Sequence, residues 1–192
     1  PCPVTLTIHA LIEGYYVGGG MMQPVLMNQG IGSNALACDS MKLVLHQSVF
    51  PYTTVASHTD LLSTDGTVSS TFNVLPGPYY IELQHRNAVQ VWSATPVWFT
   101  GSGVTYDFRD AATKAYGGDQ RPVGNGWWAL YSGDLNGDEN VDLLDHSLIE
   151  ADILNFGFGY FSTDLNGDGN VDLLDMPILE GNIINFIYAM HP

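Results

Sequence analysis

Two short stretches of the chain are crowded with oxygen-bearing side chains at alternate positions. Asp134, Asn136, Asp138, Asn140, Asp142 and Asp145 fall within twelve residues, and Asp164, Asn166, Asp168, Asn170, Asp172 and Asp175 repeat them thirty residues later. The match runs almost letter for letter from Gly133 to Asp145 and from Thr163 to Asp175, which marks an internal repeat rather than a chance acidic run. Alternate short side chains on a tightly curled loop point to its inside. A shell of about seven oxygens at ~2.3–2.6 Å is what a hard divalent cation of calcium's size requires. Magnesium demands a tighter octahedron, and zinc takes Cys or His, which neither loop contains. The spacing therefore predicts two calcium ions. The first would be held by Asp134, Asn136, Asp138, the carbonyl of Asn140, Asp142 and Asp145, and the second by Asp164, Asn166, Asp168, the carbonyl of Asn170, Asp172 and Asp175.

The two loops differ at their sixth position, where the sharp turn favours glycine: Gly169 supplies it in the second, Glu139 stands there in the first. A side chain at positive φ costs on the order of 1 kcal/mol, so the first site is expected to be weaker or slightly remodelled. Val141 and Val171 are expected to pair as a short bridge between the loops or to pack beneath them.

Charge supports a bound cation. The 192 residues hold 20 Asp and Glu against 5 Lys and Arg, a formal charge of −15. All five bases lie in the first 121 residues, whereas the last 71 carry twelve acids and no Lys or Arg. Carboxylates that dense repel one another, and a metal is the natural source of the missing positive charge. The same balance argues against nucleic acid, whose phosphates need basic residues, and against an anionic membrane surface. No apolar run approaches the ~18–20 residues of a membrane span, so membrane insertion is not expected. The chain opens on Pro1-Cys2-Pro3 rather than a signal peptide, as a mature or excised piece of a secreted protein would.

The elements that must position the loops divide near residue 125. Residues 126–192 are read as the module carrying loops 134–145 and 164–175, with helices expected over 143–156 and 173–188. Leu144, Leu148, Ile149, Ile153 and Leu154 should face inward on the first helix, and Leu174, Ile178, Leu179, Ile183 and Ile184 on the second. Pro177 is tolerable in a first helical turn. Asp rather than Glu at position twelve, with no amphipathic helix ahead of either loop, resembles the dockerin module, which pairs each loop with one following helix (an F-hand). The resemblance covers Gly133 to about Phe186 and implies calcium in a structural role.

Residues 1–125 read as a β-sandwich. Apolar–polar alternation over Val4–Leu11, and short β-rich runs at Met41–His46, Val68–Val74, Tyr79–Gln84, Val89–Trp92, Pro96–Thr100 and Val104–Phe108, are separated by turn signals such as Asp65-Gly66 and Pro76-Gly77. Seven to eight antiparallel strands fit this pattern. The run Phe72-Asn73-Val74-Leu75-Pro76-Gly77-Pro78-Tyr79-Tyr80-Ile81-Glu82-Leu83 resembles the transthyretin-like sandwich of carboxypeptidase regulatory-like and collagen-adhesin B-type repeats, which implies a rigid spacer or stalk. The fold class is thus mainly β with a small α module: an antiparallel Ig- or transthyretin-like sandwich followed by a dockerin-like pair of loop–helix units.

Leu11–Tyr16, Gln84–Asn87, Trp92–Pro96, Tyr106–Phe108, Ala115–Gly117 and Tyr131–Asp134 together resemble a C-terminal module of large secreted surface proteins in Bacteroidota-type bacteria. That resemblance implies an extracellular, cell-surface structural protein with no catalytic activity. Asp39-Ser40-Met41 resembles the O-glycosylation acceptor of that phylum, making Ser40 a candidate. Cys2 and Cys38, the two cysteines, are expected to form a disulfide in an oxidising compartment. The six histidines show no metal-binding spacing, and no Gly-x-Ser-x-Gly elbow is present, so an enzyme is not expected.

Three functions compete. The first is an assembly module of a surface filament, stalk or matrix, self-associating or joining other surface proteins, with the first strand free to pair with another copy. The second is a carbohydrate-binding or adhesive domain using Trp92 or Trp98. The third is a dockerin docking onto a cohesin in a polysaccharide-degrading complex. Leu143-Leu144 and Leu173-Leu174 stand where docking residues would be, and as apolar pairs they are expected to pack against the sandwich instead.

Overall fold

The computed structural model describes residues 2–101 and 103–192, with the side chain of Cys2 left outside the description. Twelve strands are present among the described residues. They are β1 (Cys2–His9), β2 (Tyr16–Gly18), β3 (Met21–Met22), β4 (Ala37–Gln47), β5 (Thr54–Ser63), β6 (Thr67–Val74), β7 (Gly77–His85), β8 (Ala88–Trp92), β9 (Val97–Phe99), β10 (Gly103–Asp107), β11 (Arg121–Gly124) and β12 (Trp127–Ala129). Three α-helices accompany them: α1 (Val25–Asn28), α2 (Leu143–Leu154) and α3 (Met176–Ile184).

Two sheets face each other. One has the order β10-β1-β6; the other runs β5-β4-β7-β8, with β9 also on β7. Alternation along β1 explains the layering. Val4, Leu6 and Ile8 turn into the core, while Thr5 and Thr7 face out and meet the hydroxyls of Thr71 and Ser69 across the pair with β6. Beside them Phe72 of β6, paired with Val4, and opposite them Leu43, Leu45, Ile81, Leu83 and Phe99 are fully buried. Truncating a buried aromatic such as Phe72 to Ala would cost about 3–5 kcal/mol.

The sandwich corrects three expectations. Its sheets are not wholly antiparallel, because β1 pairs with β10 in parallel, Thr5 opposite Gly103 and His9 opposite Asp107. Nor is β1 free to pair with another copy: β10 and β6 occupy both of its edges. The expected Cys2–Cys38 bridge turns on the side chain of Cys2, which lies outside the described residues; Cys38 itself is buried, its sulfur 4.0 Å from that of Met22. The backbone of Cys2 is opposite Val74 at one end of β1, whereas Cys38 lies on β4 beside the Ala37–Ser63 pair, near the turn that joins the two sheets. Trp92 is buried, its ring stacked 4.0 Å from that of His46, so it presents no open face to a sugar; Trp98 remains exposed.

Strand β5 had no clear sequence signal. Its run of Thr, Ser, His and Asp is exposed along most of its length, because it forms the outer edge of its sheet and buries only Leu62 deeply. The β11–β12 hairpin folds onto the sandwich, where Ala129 and Leu130 join the core and the Arg109 guanidinium stacks 5.3 Å from the Trp127 ring.

Candidate metal centres

Each predicted loop closes through its own carboxylates. In the first, Asp134 accepts from the N–H groups of Gly137 and Glu139, Asp138 from that of Asn140, and Asp145 from those of Leu135, Asn136 and Asp142. In the second, Asp164 accepts from Gly167 and Gly169, Asp168 from Asn170, and Asp175 from Leu165, Asn166 and Asp172. Asp142 also caps α2, its side chain accepting from Leu144 while Asp145 reaches back in a capping box. At position six Glu139 sits at φ 74° and Gly169 at φ 95°, so the first loop keeps the left-handed turn despite its side chain.

The halves are joined by a pseudo-twofold pattern. Val141 donates to the Ile187 carbonyl and Val171 to that of Gly157, both at 2.9 Å; Ala189 donates to Glu139 and Gly159 to Gly169. Each loop is therefore bonded to the segment that follows the other loop's helix. Val141 and Val171 do not pair with each other; both are buried in a small core with Ile149, Leu165 and Leu179.

Burial pushes Asp134 and Asp175 up to about 6, and neighbouring carboxylates add to the rise in both: Asp145 and Asp138 beside Asp134, Asp164 beside Asp175. Burial also raises Asp145 and Asp164. The negative charge is thus held under strain where no Lys or Arg of the last 71 residues can relieve it. Among the described residues no three carboxylate, imidazole or thiolate groups by themselves gather into a metal cluster. The amide oxygens of Asn136 and Asn166 and the carbonyls of Asn140 and Asn170 would be needed to complete a shell. An all-oxygen donor set of this mixed kind fits calcium, which when bound supplies two positive charges and a tolerance for irregular seven-fold coordination.

The second loop is also pinned to the sandwich. Gln29, following α1, donates to the Asp164 carboxylate at 2.5 Å, and Asn28 donates to the Gly167 carbonyl at 2.8 Å. Asn87 reaches the Asp164 carbonyl and the Tyr15 hydroxyl. Arg86 joins the two modules. It donates to Asp39 (2.8 Å), Tyr15 (2.8 Å), Gln29 (3.0 Å) and the Phe161 carbonyl, and stacks 4.2 Å from the centre of the Tyr160 ring. On the other side of the contact Asn182 of α3 donates to Glu13 and to the Ser132 carbonyl. Gly14 allows the closest approach, since a Cβ there would overlap the Leu165 carbonyl oxygen.

Of these contact residues Glu13, Tyr15, Arg86 and Asn87 lie in the stretches Leu11–Tyr16 and Gln84–Asn87 that carry the surface-protein resemblance, but none was expected to form a contact, and Gln29 and Asn182 carried no signal. Arg86 was the one available hint, as one of only five bases in an acidic chain. Ser40 is half-buried in mid-strand on β4, and the Asp39 beside it is committed to Arg86 and Tyr160. The helices end at Leu154 and Ile184, earlier than expected, because Phe156 and Phe186 turn to positive φ (56° and 53°). Their expected inward faces are also corrected. Ile149 and Leu179 are buried, and Ile153, Ile178 and Ile183 pack against them. Leu144, Leu148, Leu154, Leu174 and Ile184 are exposed, as are Leu143 and Leu173.

Loop, helix and pseudo-twofold define the class: the C-terminal part of the chain is a dockerin domain. Residues 132–184 match the family model described as the dockerin type I domain. No curated protein matches the chain. Among solved structures it is similar to a chain of a type II cohesin–X–dockerin complex from Acetivibrio cellulolyticus carrying a C-terminal interface mutation. The match has TM-score 0.52 and 14% identity, and covers 94% of this chain and 95% of that one. It is also similar to a chain of the corresponding N-terminal interface mutant, with TM-score 0.53, 13% identity and the same coverage of 94% and 95%. At these identities the likeness concerns the fold. No helix among the described residues is long and apolar enough to cross a membrane.

Proposed function

We propose that the chain is a non-enzymatic extracellular assembly module, braced by two calcium ions, whose dockerin domain docks onto a cohesin-type protein through the exposed face of its helices. One observation carries this reading. The repeat places apolar side chains in solvent twice over: Leu143 and Leu173 are 71% and 74% exposed, Phe156 and Phe186 89% and 83%. On α2 the exposed Leu144, Leu148 and Ala151 follow helical spacing, so the stripe continues for two turns with nothing of this chain upon it. An unpartnered apolar stripe on a short, well-capped helix is the form of a helix-borne recognition site. The leucine pairs do not pack against the sandwich, which removes the argument against docking.

The sandwich serves as a rigid support held to the dockerin domain by Arg86 and Asn182. A place at the bacterial cell surface, in a filament, stalk or matrix, is consistent with this division of labour. It would rest on partner binding rather than on exchange of β1. The test is surface plasmon resonance of the full chain against immobilised type I and type II cohesins, in calcium and in EGTA. Binding that needs calcium and is lost in Leu144→Asp supports the reading. Equal binding by Leu144→Asp, or no binding to either cohesin type, overturns it.

A further inference from the structure

The two calcium loops are near-duplicates in sequence, yet their surroundings differ on every side. In the first loop a Cβ on Gly137 would meet open space. In the second, a Cβ on Gly167 would lie 2.6 Å from Val25 and 2.9 Å from Tyr15, and one on Gly169 would lie 2.6 Å from the Asn28 carbonyl oxygen. The position-one carboxylate Asp164 is fully buried and takes a third hydrogen bond, from Gln29, beyond the two given by its own loop. Its counterpart Asp134 receives only the two loop bonds. The side chain that links loop one to the sandwich is instead Glu139, which accepts from Gln90 at position six of the loop.

From this asymmetry, and resting on the calcium reading above, we propose that Gln29 is a positioning residue for the second calcium site and couples its occupancy to the sandwich. Gln29 is buried at the end of α1. Its side-chain nitrogen holds Asp164, and its oxygen accepts from Arg86, which in turn holds Asp39 and Tyr15. A metal ligand whose orientation is fixed before the ion arrives needs less ordering on binding, and outer hydrogen bonds of this kind are worth roughly ten- to hundredfold in metal affinity. The second site is therefore the tighter of the two, and its filling is felt by Tyr15, Asn28 and Arg86 in the sandwich. The first site fills later and is felt only locally.

The experiment is a calcium titration of the full chain followed by ¹⁵N-resolved NMR, reading the amides of both loops and of Tyr15 and Asn28 separately. In the natural sequence the second loop and the two sandwich amides should respond together, at lower calcium than the first loop. Gln29→Ala should weaken the second site at least tenfold and leave the first unchanged, so loop one reports within the same sample that the variant is folded. Gln29→Glu, which sets a carboxylate against Asp164, should weaken the second site further. Coincident filling of both loops in the natural sequence overturns the proposal, as does a Gln29→Ala change that is absent or equal in the two loops. Loops that ignore calcium altogether would instead overturn the calcium reading itself.

Discussion

The Arg86 guanidinium lies 2.8 Å from the carboxylate of Asp39, a residue with no solvent exposure at the junction of the sandwich with the dockerin domain. Burial by itself would raise Asp39, but the adjacent His85 ring, 3.3 Å away, followed by the Arg86 charge, holds it far below the ordinary carboxylate range. The pair works as a rivet because Arg86 also reaches across to the Phe161 carbonyl and the Tyr160 ring of the second module. Removing the cation leaves the buried charge with only the His85 ring and the bonds from Ser40, Tyr15 and Tyr160. Arg86→Met is expected to destabilise the chain by about 3 kcal/mol in urea denaturation. Asp39→Asn in the same background should recover part of that loss.

Gly14 sets the distance between the modules. A methyl group there meets the Leu165 backbone carbonyl, and main chain cannot rotate aside as a side chain can. Gly14→Ala is expected to cost about 2 kcal/mol and to expose the connection near Ser132 to limited proteolysis, while the isolated sandwich signals stay native. Unchanged protease resistance would show that the modules are not held by this approach.

Phe156 and Phe186 occupy equivalent turns at positive φ with their rings in solvent. A non-glycine residue there costs on the order of 1 kcal/mol, and little burial is lost on removing an exposed ring. Phe156→Gly and Phe186→Gly are each expected to raise stability by about 0.5 kcal/mol while weakening cohesin binding. Thermal melts and plasmon resonance on the same variants separate the two effects.

Asp119 gives the pH dependence a defined source. Burial lifts its carboxyl to about 6, against the pull of the Met190 N–H that it accepts. The folded chain therefore binds this proton more tightly than the unfolded chain. Stability from Asp119 is complete below about pH 4 and is lost as pH rises toward 6, a change of about 2–3 kcal/mol. In Asp119→Asn, whose side-chain oxygen can still accept from Met190, the slope of denaturation midpoints between pH 4 and 7 should flatten by that amount, leaving the part due to Asp134 and Asp175.

Much of this was legible in the residues alone. Asp134 through Asp145 and their copy announced themselves by type and spacing, because a metal loop is a local structure whose ligands come from one short stretch. The alternation of Val4, Leu6 and Ile8 located β1 for the same reason. What escaped was non-local. The parallel neighbour β10 and the contacts of Gln29 and Arg86 depend on which distant segments meet. The helix faces misled because the apolar pattern at Leu144, Leu148, Leu174 and Ile184 is that of a buried stripe, and periodicity does not say whether the covering surface belongs to the same chain. Strand β5 was silent because an exposed edge needs no apolar run.

The central claim is tested most directly by counting metal. Equilibrium dialysis of the chelator-stripped chain against millimolar calcium, with elemental analysis of the retained ion, should give two calcium ions per chain. Asp145→Ala and Asp175→Ala should each remove one. A chain that retains no calcium, yet keeps its helices by circular dichroism in EGTA, would contradict the account.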